Sequence, residues 1–227
     1  MDVYILTSME GNYHYTNMAA NDTPEKFPSE TAYISNINSL SIPKCILLFS
    51  GKRKSGKDYI TNILHERIGS SECTIIKISG PIKSHWAKAA NLDFDKLLGD
   101  GEYKEKYRLK MVKWSEEVRR TDYGYFCRAA IQMYNEKKIP IWIVSDIRRK
   151  TDIQWFNENF GDKCKTIRIH ASEKVRQERG YVFTPGIDDS ETECDLDDVN
   201  KWDLDILNDG SDTENILQKV LQLTQEM

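Results

Sequence analysis

The sequence lacks the features that would place the chain in a membrane, outside the cell or on nucleic acid. Its five cysteines are odd in number and include no C-x-x-C pair, which favours reduced cytosolic thiols over a disulfide framework. No apolar run is long enough to cross a bilayer. The net charge of −4 argues against a polyanion binder that acts through bulk charge. We therefore expect no membrane or nucleic-acid partner, and any phosphate site must come from locally clustered Lys and Arg.

The sequence also lacks recognisable targeting signals, and it has only four histidines. The first residues lack the basic and long apolar stretches of a signal peptide, and the last four are neither a prenylation box nor a peroxisomal address. A peroxisomal location would therefore need a partner protein, and we expect a cytosolic monomer. The four histidines form no metal-ligand pair and no catalytic triad.

The composition and the hydrophobic pattern of the chain change near residue 44. Residues 1–43 are rich in Asn, Ser, Thr and Tyr without a sustained hydrophobic period, which predicts a flexible N-terminal extension. Residues 44–227 alternate short apolar runs with helical patterns and predict one α/β domain, a parallel sheet of about five strands flanked by helices. Strands are expected at 45–50, 73–79, 139–146, 164–171 and 202–207. Helices are expected at about 57–68, 81–90, 105–121, 124–137, 151–159, 172–179 and 213–225.

A phosphate-binding loop pattern follows the first apolar run. The letters GKRKSGK place Gly51, Gly56 and Lys57 in the spacing G-x-x-x-x-G-K, between a predicted strand and a predicted helix. In that context the N–H groups of the loop and the amino end of the helix converge on one anion. We expect Lys57 to contact the β- and γ-phosphates. The candidate phosphate site is the whole loop: Gly51, Lys52, Arg53, Lys54, Ser55, Gly56, Lys57 and Asp58.

Asp58 departs from the usual loop, which has Ser or Thr after the lysine as a ligand for Mg²⁺. Two interpretations stay open. The carboxylate lies near the metal, directly or through water, because carboxylate oxygens suit that hard ion. Alternatively, Asp58 caps the helix by accepting backbone N–H groups.

A second group of candidates follows the third apolar run, in the letters IVSDIRR. Asp146 ends the predicted strand, where a carboxylate can orient a metal or a water. Arg148 and Arg149 come next, at the sheet edge where open α/β folds bind ligands, and paired arginines suit a bidentate grip on a phosphate. Arg176 and Arg179 share one helix face before a Gly-Pro segment that predicts a short lid.

Three further patterns are ambiguous. Lys and Arg on the middle helices are either functional or solvated, and the residues alone do not separate the two. The acidic run 188–198 predicts a solvated part of the lid, with an Mg²⁺-linked role of Asp188 or Asp189 as the alternative. Residues 200–203 spell N-K-x-D, which beside a phosphate loop suggests a guanine-nucleotide switch. The companion D-x-x-G is absent, because Asp146 is followed by Ile-Arg-Arg.

In order along the chain, these motifs resemble those of the animal-type phosphomevalonate kinases. The matching blocks are LLFSGKRKSGKD, SGPIK, IWIVSDIRRKTDIQWF, RGYVFTPGIDDSETEC and the closing LND, from about Cys45 to the C-terminus. That family also has Asp after the loop lysine. The resemblance implies a fold like that of nucleoside monophosphate kinases and transfer of the ATP γ-phosphoryl to mevalonate 5-phosphate. It also implies Mg²⁺ as cofactor and a place in isoprenoid and sterol synthesis.

The resemblance further implies roles for individual residues. Lys52 to Asp58 would bind ATP, together with Arg179 from the lid, and Asp209 and Gln218 would lie near the nucleotide. Asp209 stands where mammalian members carry His. Asn208 would contact the substrate. The cations on the acceptor-phosphate side would be Lys83, Arg108, Arg119, Arg128, Arg148 and Arg149.

The implied chemistry needs no strong general base, because a phosphate oxygen of the acceptor is already anionic near neutral pH. We expect Lys57, Lys54 and Arg179 to hold the transferred phosphoryl group, with Asp58 or Asp146 serving Mg²⁺. Two rival functions stay open. One is a kinase of the same fold acting on another acceptor; with a hydroxyl acceptor, Asp146 would act as the base. The other is a non-catalytic nucleotide-binding switch of the GTPase kind.

Overall fold

The structure is a computed structural model that describes residues 43–99, 101–135 and 139–225, and the backbone of two strands near the N-terminus. The chain divides into two units, Met1–Ile37 and Asn38–Met227. In the first, β1 (Val3–Met9) pairs antiparallel with β2 (Asn12–Met18). These two strands were not predicted. Apart from these strands, the predicted flexible extension lies outside the described residues and stays a prediction.

The second unit is built on the predicted five-stranded sheet, with every neighbouring pair parallel. The strand order is β4-β5-β3-β6-β7. The strands are β3 (Cys45–Ser50), β4 (Cys73–Ile76), β5 (Ile141–Val144), β6 (Cys164–His170) and β7 (Leu204–Leu207). The helices are α1 (Lys57–Ile68), α2 (Ser79–Ala89), α3 (Phe94–Leu98), α4 (Glu102–Thr121), α5 (Tyr125–Tyr134), α6 (Lys150–Phe160), α7 (Glu173–Glu178), α8 (Glu191–Cys194) and α9 (Thr213–Gln225), with a 3₁₀ turn at Gly161–Lys163.

Strand β3 is the centre of the sheet, and all six of its residues are buried. It feeds directly into the loop that begins at Gly51. The strands β4 and β5 lie on one side of β3, and β6 and β7 lie on the other. The order of the strands therefore reverses at β3, and the loop lies at the point where ligands bind in open α/β sheets. The sheet topology thus places the predicted phosphate loop where an anion can reach it.

Hydrophobic clusters hold the second unit together. One packs α1 and α9 against one face of the sheet, with Leu47 and Phe49 of β3 against Ile60, Leu64 and Val220. Another lies among the helices α2, α3 and α4 and is centred on Trp86, Leu97 and Met111. The helices that follow β4 therefore have their own small core, and they form a wall beside the carboxyl edge of the sheet.

The predicted strands and long helices are confirmed, with shifted ends. The run 73–79 ends as a strand at Ile76, because the Asp146 carboxylate accepts the N–H groups of Ile78 (2.6 Å) and Ser79 (2.9 Å) and so starts α2. The short helices α3 and α8 were not predicted. All five cysteines are free. No helix within the described residues is long and apolar enough to span a membrane.

Candidate active site

The loop between β3 and α1 requires glycine at two positions. A Cβ on Gly51 would lie 2.6 Å from Ser55 Oγ and 2.7 Å from the Ile169 carbonyl oxygen. Gly56 has φ +86°, in the left-handed region that favours glycine, and a Cβ there would lie 2.3 Å from Asn208 Nδ2. The loop is therefore wrapped tightly, with its backbone in close contact with β6 and with the segment after β7.

Lys57 is the most enclosed cation of the loop, only 7% exposed. Its Nζ donates to the carbonyl oxygen of Ser145, at the end of β5, and to Asp58 Oδ1 at 2.5 Å. The ammonium group is thus fixed between the start of α1 and the carboxyl end of the neighbouring strand. That is the position from which a lysine can reach a phosphate held by the loop.

Asp58 does not cap α1. The N-cap residue is Gly56, and it makes no side-chain cap bond, so the capping interpretation of Asp58 is wrong. The Asp58 side chain is 75% exposed. Desolvation acts to raise its pKa, but the charge and hydrogen bond of Lys57, with Arg148 and Lys77 farther away, outweigh it and leave the pKa below its usual value. An ionised, accessible carboxylate therefore stands beside the loop lysine.

A cleft of about 380 Å³, here called the phosphate cleft, opens over the loop. Every loop residue from Gly51 to Asp58 lines it, and most of its other charged walls are basic. Ser145 also faces it, and its buried Oγ has no hydrogen-bond partner within the described residues. Beyond the loop, the charged lining residues are Lys77, Lys83, Lys104, Glu105, Arg108, Asp146, Arg148 and Arg179.

Arg179, which follows α7, and Asn208, which follows β7, both contact the phosphate loop. Arg179 donates to the carbonyl oxygens of Lys54 (3.4 Å), Ser55 (3.0 Å) and Asn208 (3.1 Å). The buried Asn208 side chain also donates to the Ser55 carbonyl, at 2.9 Å. The second lid arginine, Arg176, donates to the Arg53 carbonyl at 2.8 Å. Both lid arginines thus contact the backbone of the loop.

A second cavity of about 140 Å³, here called the inner cavity, adjoins the phosphate cleft. The two share six lining residues: Ser79, Lys83, Lys104, Arg108, Asp146 and Arg148. Deeper in, the walls are apolar at Ile82, Met111 and Val112 and polar at Ser115, Glu116, Arg119 and Arg149. The sheet edge and the wall of helices thus enclose a cationic passage between two adjoining spaces.

Lys83 lies in this passage on α2. Burial lowers its pKa to about 8, and the nearby cations Lys104, Lys77 and Arg148 act in the same direction, whereas Asp146 raises it. The low pKa reflects mainly the loss of solvation, with the neighbouring cations as a smaller cause. An anionic ligand beside the ammonium group would favour its charged form.

The inner arginines are held by buried carboxylates. Asp152 is fully buried; its Oδ1 accepts from Arg119 at 2.5 Å, and its Oδ2 accepts the backbone N–H groups of Arg148 and Arg149. Arg149 donates to Glu116, while its buried Nη1 makes no hydrogen bond within the described part of the chain. One carboxylate therefore orients the backbone of the two arginines after β5 and the side chain of a third.

Four residues assigned through the resemblance do not line either cavity, and Asn208, which contacts the loop, is one of them. Arg128 is buried and paired with Asp122. Asp209 is exposed and accepts from Ser211, which lowers its pKa. Gln218 lies on the exposed face of α9 and donates to Glu214 at 3.3 Å. Their ligand contacts stay predictions.

The N-K-x-D letters occupy residues 200–203, directly before β7. Asp203 accepts both the N–H and the hydroxyl of Thr166 in β6, each at 2.7 Å. In the register of the sheet Thr166 pairs with Leu48, and the neighbouring Trp202 lines a cavity of about 180 Å³ together with Lys52 and Ser55 of the phosphate loop. The letters therefore begin a strand and do not close one.

The acidic run was expected to be solvated, which is wrong for two of its members. Asp188 and Glu193 are each only 8% exposed. Asp188 pairs with Arg53 at 2.9 Å, and Asp197 pairs with Lys52 at 2.5 Å. Glu193 faces the inner cavity. The composition of the run gave no sign of this, because its partners lie far away in the sequence.

Comparisons with known proteins point to one family. The family model described as phosphomevalonate kinase matches residues 49–162. A phosphomevalonate kinase of Drosophila melanogaster is 52% identical over 167 residues, which cover 72% of this chain and 88% of that protein.

Among solved structures, two similar chains are the Mycobacterium tuberculosis APS kinase CysC in complex with AMPPNP and APS, and TT1252 from Thermus thermophilus. The first is 13% identical, covers 80% of this chain and 97% of its own, and has a TM-score of 0.40. The second is 15% identical, covers 80% and 98%, and has a TM-score of 0.44. Such low scores add nothing to the fold, which rests on the strand order. The long match in sequence, in contrast, is decisive: this chain belongs to the phosphomevalonate kinase family.

Proposed function

We propose that the protein transfers the γ-phosphoryl group of ATP to (R)-5-phosphomevalonate, giving 5-diphosphomevalonate and ADP. The observation that carries this proposal is the pair of adjoining cavities joined by a cationic passage. One cavity is bounded by the phosphate loop, as a phosphoryl donor requires. The other is lined by several cations and by the apolar residues Ile82, Met111 and Val112. This suits an acceptor with a phosphate at one end, a carboxylate at the other and a methyl group between.

Catalysis would rest on alignment and charge neutralisation. The acceptor oxygen is already anionic, so no side chain has to remove a proton. Arg148 lines both cavities, and from there it would contact both phosphates. Lys57, together with Lys54 and Arg179, would hold the transferred group. Two anions that repel each other in water would thus be held in line within a site of opposite charge.

The donor set fits Mg²⁺ held largely by the nucleotide. Within the described residues, no group of three or more His, Cys, Asp and Glu side chains is arranged to hold a metal ion. Mg²⁺ in phosphoryl-transfer sites needs only one or two carboxylates besides phosphate oxygens and water. Asp58 is ionised and accessible, whereas both oxygens of Asp146 already accept backbone N–H groups. We therefore assign Mg²⁺ to Asp58, where it would neutralise developing charge.

The remaining assignments complete the proposal. The loop from Gly51 to Asp58 would bind ATP, and Lys83, Arg108, Arg119 and Arg149 would bind the acceptor. Asn208, which braces the loop through Ser55, would contact substrate from that position. Residues 1–43 would be an extension outside the kinase domain, and the protein would work as a cytosolic monomer.

The test is an ADP-release assay with Mg-ATP and mevalonate 5-phosphate, run beside UMP, CMP, AMP and a control without acceptor. We expect turnover only with mevalonate 5-phosphate. The Lys57→Met variant should lose at least ~10²-fold in kcat with an unchanged melting temperature, because it removes the positive charge that would stabilise the transferred phosphoryl group. Lys44→Met, an exposed lysine at the other end of β3, is the matched control.

Three results would contradict the proposal. Turnover with a nucleoside monophosphate but not with mevalonate 5-phosphate would assign the fold to another acceptor. Near-normal activity of Lys57→Met would remove that residue from the chemistry. Tight retention of GDP in place of rapid exchange of Mg-ATP would favour a nucleotide switch.

A further inference from the structure

The acidic segment, defined as residues 188–198, contacts both halves of the site. Asp188 and Asp197 pair with Arg53 and Lys52 of the phosphate loop. Between them in sequence, Glu193 projects from α8 into the wall of the inner cavity. The segment therefore spans the two cavities, and its middle carboxylate lies on the acceptor side.

Glu193 has an unusual position for a residue in such an acidic run. Its side chain is only 4% exposed, and it accepts a hydrogen bond from Arg148. The same carboxylate oxygen, Oε1, lies 3.9 Å from Arg108 Nη1. Arg108 is also tied to Glu105, at 2.8 Å. One buried carboxylate oxygen thus stands between two arginines that line both the phosphate cleft and the inner cavity.

A buried carboxylate between two guanidinium groups does two things. It offsets the repulsion between the arginines, and it restricts side chains that would otherwise sample many rotamers. Removing it would leave two partly buried cations without their common partner, which is costly. The restriction matters most for Arg148, whose guanidinium must face both phosphates at once.

We propose that Glu193 is a positioning residue of the phosphoryl-transfer site, acting through Arg148. This inference rests on the proposed function. Glu193 holds the guanidinium at the boundary of the two cavities before the acceptor arrives. Because α8 belongs to the acidic segment, which also pairs with Lys52 and Arg53, this contact links the geometry of the acceptor site to the phosphate loop.

The experiment uses Glu193→Gln in the full-length protein, with Asp198→Asn as the matched control. Asp198 belongs to the same segment, but its carboxylate is 71% exposed and pairs with Lys150 away from both cavities. We expect Glu193→Gln to lower kcat/KM for mevalonate 5-phosphate by at least ~10-fold, since small misplacements of a catalytic group have such effects. The KM for ATP should change less than about twofold, and Asp198→Asn should behave as wild type.

A double-mutant cycle separates positioning from general damage. If Glu193 acts through Arg148, Glu193→Gln should cost nothing further in an Arg148→Met background. Additive losses would overturn the proposal. So would a lower KM for the acceptor in Glu193→Gln, since the carboxylate would then be a competitor of the phosphate. If Glu193→Gln does not fold, Glu193→Asp keeps the charge but shortens the reach, and wild-type kcat/KM in that variant would also overturn it.

Measurements on the wild-type protein distinguish a failure of the proposed function from a failure of the proposed role of Glu193. If wild type transfers phosphate to a different acceptor, the proposed function fails, and the same cycle run with that acceptor still tests Glu193. If wild type acts on mevalonate 5-phosphate and the cycle is additive, only the positioning role fails.

Discussion

Replacing Gly56 by alanine tests how the phosphate loop is held. Gly56 has φ +86° and ψ 9°, a left-handed conformation in which alanine is strained by about 1–2 kcal/mol. The added Cβ would also lie 2.3 Å from Asn208 Nδ2 and 3.2 Å from Arg179 Nη1. The Asn208 amide would have to move, and its hydrogen bond to the Ser55 carbonyl would break. That loss adds about 1 kcal/mol.

The total of about 2–3 kcal/mol corresponds to a fall in melting temperature of roughly 4–12 °C for a domain of this size. The functional effect should be larger than the loss of stability suggests. Displacing Arg179 would shift its hydrogen bonds to the carbonyl oxygens of Lys54 and Ser55, and so disturb the N–H groups that would hold the phosphates. We therefore expect the affinity for Mg-ATP to fall by at least ~10-fold.

Gly69 supplies the matched control. It lies at the other end of α1 with φ +94°, so alanine there is strained as well, but no atom lies within 4 Å of its added Cβ. Gly69→Ala should therefore lose stability and keep its ATP affinity. Thermal unfolding and calorimetric titration with Mg-ATP measure the two quantities separately. If Gly56→Ala binds Mg-ATP as tightly as Gly69→Ala does, the loop is not held by the contacts described here.

Two further predictions follow from the charges around the loop. Because Lys83 has a pKa of about 8 and is charged below it, kcat/KM for the acceptor should fall as pH rises above about 8. Lys83→Met should lower kcat/KM below about pH 8 and remove most of its fall above that pH. An unchanged pH profile in this variant would contradict the role of Lys83 in acceptor binding. Asp58→Asn should raise the Mg²⁺ concentration needed for half-maximal activity by ~10-fold or more, and an unchanged Mg²⁺ dependence would mean that Asp58 serves only as the partner of Lys57.

The fold was predictable because local signals dominate it. Each strand is a short apolar run with clear boundaries, and the long helices carry a hydrophobic face, which packs on the sheet in α1 and α9 and on neighbouring helices in α2 and α4. The helices α3 and α8, of five and four residues, are too short to show a period. The end of β4 at Ile76 depends on Asp146, about 70 positions away, and no local pattern contains that information.

The candidate site divides in the same way. The phosphate loop is one continuous stretch of sequence that follows β3, and Arg148 and Arg149 follow β5. The sequence alone therefore predicted that the loop and the two arginines lie at the same edge of the sheet. The carboxylates that hold these cations could not be found. Glu193 lies 45 residues from Arg148, and Asp188 lies 135 residues from Arg53, inside a run whose composition suggests solvent exposure. Only the fold brings such pairs together.

The same pairs also affect the stability of the fold. The carboxylates near the cavities offset part of the repulsion among the cations, which would otherwise oppose folding. In the passage, burial and the neighbouring cations still lower the pKa of Lys83 to about 8. Phosphates in the two cavities would complete the neutralisation, and by linkage they would raise that pKa. Binding of one phosphate ligand should therefore alter the binding of the other through the shared cations of the passage, Lys83, Lys104, Arg108 and Arg148.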